Sequence, residues 1–157
     1  MSAIDLLLQQ HQQVEGLFQK FKAGGEDRIQ LIGRIAEALT LHAVLEEQYV
    51  YPMLKQHGMD EDFDRSEEEH AEVKQIISQL LRMKQTDGQL ETVMDQLISN
   101  VRLHVGLEER AVFPRLQAAA DPKRLEEVGR DMEQAITKLG HQGLLKMAEH
   151  QEQPVIS

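Results

Sequence analysis

An imperfect internal repeat restricts what this chain can fold into more than any local preference does. The segment Leu41-His42-Ala43-Val44-Leu45-Glu46-Glu47-Gln48-Tyr49-Val50-Tyr51-Pro52-Met53-Leu54 aligns with Leu103-His104-Val105-Gly106-Leu107-Glu108-Glu109-Arg110-Ala111-Val112-Phe113-Pro114-Arg115-Leu116, identical at eight of fourteen positions. Upstream, Asp5 and His11-x-x-Val14 align with Asp64 and His70-x-x-Val73. Each copy has a lone histidine on its first segment and His-x-x-x-Glu on its second. Apolar residues recur at intervals of three and four in both, the period of a helix face. The chain therefore reads as two helical hairpins, which pack most simply as an all-α, antiparallel up-down-up-down four-helix bundle.

Five helical segments are expected. They run from about Ile4 to Lys22, Asp27 to Gln56, Asp64 to Thr86, Gln89 to Ala118 and Pro122 to Leu139. Gly24-Gly25, Gly58, Asp87-Gly88 and Gly140 punctuate them, and Ser66-x-x-Glu69 resembles a capping box for the third. Asp121 followed by Pro122 marks the start of an additional C-terminal helix outside the bundle. Pro52 and Pro114 each remove a backbone donor and should kink or end their helices. At 157 residues the length suits one domain. Its four-helix core spans about 3–118, its fifth helix about 122–139, and a loose tail 140–157. Strong helix formers dominate, aromatics are only 4%, and β-branched clusters flanked by tight hairpin turns are missing.

The formal charge of −10 and the lack of any dense Lys/Arg cluster argue against nucleic acid as a partner. With no cysteine, thiolate metal sites, disulfides and thiol nucleophiles are excluded. The N-terminus has no basic stretch before a long apolar run, and no segment approaches a membrane span, so a cytoplasmic protein without a membrane partner is expected, as monomer or homodimer.

The helix stripes carry the chemistry. Ile32, Ile35, Leu39, His42, Glu46 and Met53 line the second, with Tyr49 or Val50; Leu90, Leu97, Val101, His104, Glu108, Val112 and Arg115 line the fourth. The first has Ile4, Leu7, His11, Val14, Phe18 and Phe21, and the third Phe63, His70, Val73, Ile77 and Leu80. Residues four apart share a face, so each His-x-x-x-Glu points one way. A lone stripe histidine is more often a hydrogen-bonded core residue than a ligand, and a lone His-x-x-x-Glu is usually solvated. Their joint, repeated occurrence reverses those odds. A bare core carboxylate costs several kcal/mol unless it is paired, protonated or metal-bound, and the stripes offer no cationic side chain at that level. Six side chains suit two ions bridged by carboxylates, and nitrogen and oxygen donors suit iron or manganese. Two octahedral ions offer roughly twelve positions. Four histidines, two bridging glutamates and an oxo or hydroxo bridge leave about two for water, dioxygen or peroxide.

At these residues the chain resembles the hemerythrin-like family, with its pattern His … His-x-x-x-Glu … His … His-x-x-x-Glu, over roughly residues 5–116. The resemblance implies a four-helix bundle with a non-heme di-iron centre, oxo- or hydroxo-bridged, held by His11, His42, Glu46, His70, His104 and Glu108. Leu125-Glu126-Glu127-Val128-Gly129 is similar to the C-terminal extension of stand-alone bacterial members. Oxygen carriers of the family place a second histidine four residues after the third-helix one, where this chain has Lys74. They also end on an aspartate five residues after the last histidine, where it has Glu109, with Glu108 better placed on the stripe. One iron would then lack a histidine. The expected function is a di-iron protein acting on small oxygen or nitrogen species, favouring catalase- or peroxidase-like breakdown of peroxide. Binding alone, as reversible oxygen or nitric oxide capture or iron buffering, is the alternative. Glu15 reads as a surface residue or an extra ligand, Tyr49 as core packing, His57 as a helix-end partner, and His141 and His150 as surface.

Overall fold

The computed structural model describes residues 1–25 and 27–151, with side chains described up to residue 139. Helix α1 (Ala3–Ala23) starts at a capping box that the sequence pattern did not predict: Ser2 Oγ accepts from the Asp5 N–H, and Asp5 Oδ2 accepts from the Ser2 N–H, both at 3.2 Å. Gly24 ends it at a φ of 75°, a conformation open to glycine. Helix α2 (Arg28–Leu45) starts where the Asp27 carboxylate accepts from the N–H groups of Ile29 and Gln30. It continues through a π-helical turn, Glu46–Val50, into α3 (Tyr51–Gln56). Helix α4 (Asp60–Arg82) is followed by α5 (Leu90–Leu107), a second π turn (Glu108–Val112) and α6 (Phe113–Ala119). Helix α7 (Pro122–Gln151) starts at Asp121 as expected.

Three expectations need correction. Ser66 and Glu69 do not cap a helix: α4 begins six residues earlier, at Asp60, and Ser66 lies buried inside it. The run Asp60-Glu61-Asp62 at its first turn complements the helix dipole instead. Gly140 does not stop α7, because glycine inside a helix costs only about 1 kcal/mol and a stop needs a cap conformation that the backbone does not adopt there. The expected tail therefore shortens; residues 152–157 and the side chains of His141 and His150 lie outside the described residues.

Third, Pro52 and Pro114 neither end nor break their helices. A proline cannot donate to the carbonyl four residues back, and its ring crowds that carbonyl. The chain inserts one extra residue just before each: the Tyr51 N–H bonds the carbonyl of Glu46, and the Phe113 N–H that of Glu108. Each proline then occupies the first turn of the continuing helix, where a missing donor costs nothing.

The four rods, α1, α2 to α3, α4, and α5 to α6, form the expected bundle, and α7 lies across α1 and α2. The apolar core is split in two. Val14, Phe18, Phe21, Leu31, Ile35, Leu80, Met94 and Leu97 fill the end bearing the α1–α2 and α4–α5 connections. Ile4, Leu7, Leu45, Leu54, Phe113, Leu116, Leu125, Val128 and Met132 fill the end closed by α7. All six candidate ligands lie between the two. No strand occurs among the described residues.

α7 is held so close to the N-terminus that a Cβ at Gly129 would lie 2.4 Å from the Met1 carbonyl oxygen and 2.8 Å from the Ser2 carbonyl carbon. Gly129→Ala should therefore cost roughly 1–3 kcal/mol, as overpacking does. Gly33→Ala in α2, where a Cβ meets nothing within 4 Å, should gain about 0.5–1 kcal/mol. Denaturant unfolding of the two variants should shift midpoints in opposite directions.

Candidate metal centre

The structure brings His11, His42, Glu46, His70, His104 and Glu108 to one level of the bundle, and buries all six. Their inward atoms fall into two groups, each with ligand atoms within 4.8 Å of one another: His11, His42, Glu46 and Glu108, and Glu46, His70 and His104. Glu46 belongs to both. Its Oε1 lies 3.1 Å from His42 Nε2, 3.0 Å from His70 Nε2 and 3.8 Å from His104 Nε2. Glu108 spans the groups too, with Oε1 3.1 Å from His11 Nε2 and Oε2 3.2 Å from His104 Nε2. The second oxygen of Glu46 is buried and has no hydrogen-bond partner among the described residues. Such an orphan costs about 1–3 kcal/mol, more for a charged group. It is the feature that a bound cation would relieve, so this donor set fits a metal cation.

Every histidine offers Nε2 inward and uses Nδ1 for an outer acceptor. His11 bonds Glu109 Oε2 at 2.8 Å, His42 bonds Gln10 Oε1 at 2.8 Å, His70 bonds Glu47 Oε2 at 2.7 Å, and His104 bonds Glu69 Oε1 at 2.6 Å. A carboxylate can only accept, so Nδ1 carries a proton and Nε2 is the nitrogen that faces inward. The repeat explains the outer layer. The acceptor for each lone histidine follows the motif glutamate of the other hairpin, and that for each motif histidine precedes the lone histidine of its own.

Tyr51 is the residue that sequence reasoning missed. Fully buried, its hydroxyl lies 3.1 Å from Glu46 Oε1, 3.0 Å from Glu108 Oε2, 2.9 Å from His70 Nε2 and 3.3 Å from His104 Nε2. In an α-helix Tyr51 would face about 140° away from Glu46, five residues earlier; the π turn brings it over the same face. Its counterpart Phe113 stacks on the His11 ring, 5.9 Å between centroids and 9° between planes. This mismatch in the repeat was the available signal. Tyr49 only packs against the α7-side cluster, Glu15 pairs with Arg102 at the surface, and His57 caps the end of α3.

Residues 2–116 match the family model of the hemerythrin HHE cation binding domain. The chain belongs to that family. Members bind metal cations, and this hemerythrin-type chain has the histidine and glutamate clusters to do so. It also matches a crystal structure of a hemerythrin HHE cation binding domain-containing protein from Mycobacterium kansasii. The TM-score is 0.77 and the identity 24%, covering 95% of this chain and 98% of that one, which supports the fold. A curated protein of Nostoc sp., named a DNA nickase, is 24% identical over 141 residues, covering 88% of this chain but only 40% of the relative.

The electrostatics show what a cation would displace. Burial alone would push the His70 imidazole down, but the Glu46 and Glu47 carboxylates outweigh it and lift it to about 9. His11 and His104 are raised against the same burial penalty, chiefly by Glu108. Burial resists ionisation of Glu46, but the surrounding histidines, His42 first, hold it well below the usual carboxylate range. Burial, with the Glu46 and Glu108 charges, pushes the Tyr51 hydroxyl up, so it stays a phenol in the metal-free chain. The inward nitrogens of His11, His70 and His104 thus bind protons more tightly than a free imidazole does, and a cation there must displace them. The folded His70 value lies above its unfolded value of about 6.5. This stabilisation of the metal-free chain is complete below that pH and lost as pH rises through 9. Cation affinity runs the other way. Calorimetric titration with cobalt(II) in buffers of different ionisation enthalpy should show proton release, with affinity rising about tenfold per pH unit for each proton displaced between pH 6.5 and 9. Binding that is independent of pH and buffer would mean that these imidazoles are not the ligands.

Proposed function

We propose that His11, His42, Glu46, His70, His104 and Glu108 hold two non-heme irons, and that the protein acts on small oxygen or nitrogen species, with peroxide breakdown as its main reaction. The observation that carries this reading is the buried, four-imidazole, two-carboxylate layer in which Glu46 and Glu108 each reach both histidine pairs. Oxygen and nitrogen donors without sulfur suit iron, and two shared carboxylates suit two ions rather than one. Two irons held there supply paired one-electron redox capacity, enough to turn two hydrogen peroxide molecules into one dioxygen and two waters.

The chain's own groups shape that reaction. A cavity of about 40 Å3 opens onto the four imidazoles; it is walled mainly by Val14, Leu39, Ala43, Val73, Ile77, Val101 and Val105, with Thr40 and Lys74 also on its wall. It has room for a molecule of two or three heavy atoms. The Tyr51 hydroxyl holds a proton between Glu46 and Glu108, within reach of either carboxylate. Lys74 binds Glu47, which in turn orients His70, so the residue standing where carriers have a histidine braces a ligand.

The apolar cavity walls also favour a second reading, reversible capture of oxygen or nitric oxide, since neither needs a polar pocket. The name of the Nostoc relative raises DNA as a target, but a formal charge of −10 opposes binding a polyanion.

Protein from iron-replete cells should contain two irons per chain and melt at a clearly lower temperature once they are removed. It should consume peroxide with oxygen release. His70→Ala or Glu108→Ala should cut that rate at least tenfold, and the exposed His57→Ala should leave it unchanged. Equal rates in all four proteins would indicate adventitious iron. Inert peroxide with reversible oxygen uptake by the ferrous protein would establish the carrier reading, and one zinc per chain would end the di-iron one.

A further inference from the structure

The outer hydrogen bonds are not equivalent, and the difference falls at one position. Three of the four inward-facing histidines donate Nδ1–H to a carboxylate: His11 to Glu109, His70 to Glu47, His104 to Glu69. His42 donates to the neutral amide oxygen of Gln10 at 2.8 Å. Gln10 and Glu69 are repeat counterparts, each preceding the lone histidine of its hairpin and serving the motif histidine of the same hairpin. Gln10 is itself buried. A carboxylate acceptor makes the imidazole a stronger donor and fixes its ring; an amide fixes the ring but lends it no charge.

A second departure from the repeat reinforces the first. The Tyr51 hydroxyl sits at 2.9 and 3.3 Å from the inward nitrogens of His70 and His104. On the other side its counterpart Phe113 offers the His11 ring only an apolar face. One pair of histidines therefore has two carboxylate acceptors and a nearby hydroxyl. The other has one carboxylate, one amide and no hydroxyl.

We propose that the two ion positions are unequal, and that Gln10 makes the one at His11 and His42 the exchangeable position, which loses its ion first. This rests on the two-ion reading above and adds which ion is labile and which residue makes it so. Gln10 is a positioning residue, acting through His42. In such a protein the tighter ion maintains the folded layer while the weaker one is exchanged with the surroundings.

The test is release of iron from the anaerobic ferrous protein to an excess of chelator, followed by absorbance of the chelate, after metal analysis has counted the ions at the start. Wild type should release its two irons in two phases of one ion each. Gln10→Glu should slow the fast phase by roughly 10–100-fold, the range for outer-shell partners of metal-bound histidines, and leave the slow phase in place. Glu69→Gln should speed the slow phase instead. Gln13→Glu, which adds the same charge at an exposed site on the same helix, should change neither. An unaltered fast phase in Gln10→Glu overturns the inference, as does an equal shift in Gln13→Glu. Fewer than two irons at the start would overturn the two-ion reading instead, so the two failures are separable.

Discussion

Two buried carboxylates set the terms for the rest of this molecule. Glu46 and Glu108 lie fully inside the bundle between two apolar clusters, and among the described residues no lysine or arginine pairs with either. A carboxylate so placed must be neutralised by its surroundings, because removing the partners of a buried charge costs on the order of 3–5 kcal/mol. Here the compensation is four imidazoles, and those need partners in turn. Each Nδ1–H therefore reaches an acceptor nearer the surface, so the polar layer extends from the bundle axis to partly exposed Glu47, Glu69 and Glu109. The layer interrupts the core and fixes the register of all four rods at once, since a slip of one helix by a single residue would leave a charge unpaired. Outside it, the rods can be held by undemanding contacts such as the Lys22 pairs with Glu91 and Asp95, or Arg28 over the Phe21 ring. Exposed ion pairs of that kind contribute little each.

The two π turns meet a local need and serve the layer. Proline alone would leave a carbonyl without a donor and crowd the preceding turn. By shifting to bonds that span five residues, the chain keeps both rods helical and widens each where its motif glutamate sits. The extra residue also rotates the next helical turn about the rod axis, and so Tyr51 comes over Glu46 rather than to the far side of the helix. A proline six residues after each motif glutamate is thus part of how the site is built, although neither proline touches it.

The same constraint separates the features legible in the sequence from those that were not. The bundle, its helix order and the six converging side chains follow from periodicity and repetition, because a histidine or glutamate on an otherwise apolar stripe has to be explained wherever the helix lies. The roles of the outer acceptors were not legible: Glu47, Glu69, Glu109 and Gln10 each sit one residue from a stripe residue, and only the meeting of separate helices reveals their bonds. Tyr51 was missed because the α period directed attention to Tyr49, and that period fails inside a π turn. Ser66 and Glu69 were misread as a cap for the opposite reason, a local pattern being followed where burial and a distant histidine decided the outcome.

The repeat is kept where packing needs it and broken around the site. Val14 and Val73 occupy matching places beside the imidazoles, and both prolines, both leucines flanking each motif and both motif glutamates are retained. Tyr51 and Phe113, Gln10 and Glu69, and Glu15 and Lys74 are not alike, and these three pairs all lie at or just outside the polar layer. Lys74, on the wall of the apolar cavity, turns to Glu47, whereas Glu15 turns to Arg102 beside a wider, more polar groove between α1 and α5. Divergence at these three pairs leaves a small apolar cavity lined by all four imidazoles and a wider, more polar groove beside His11, without altering the scaffold that holds the histidines.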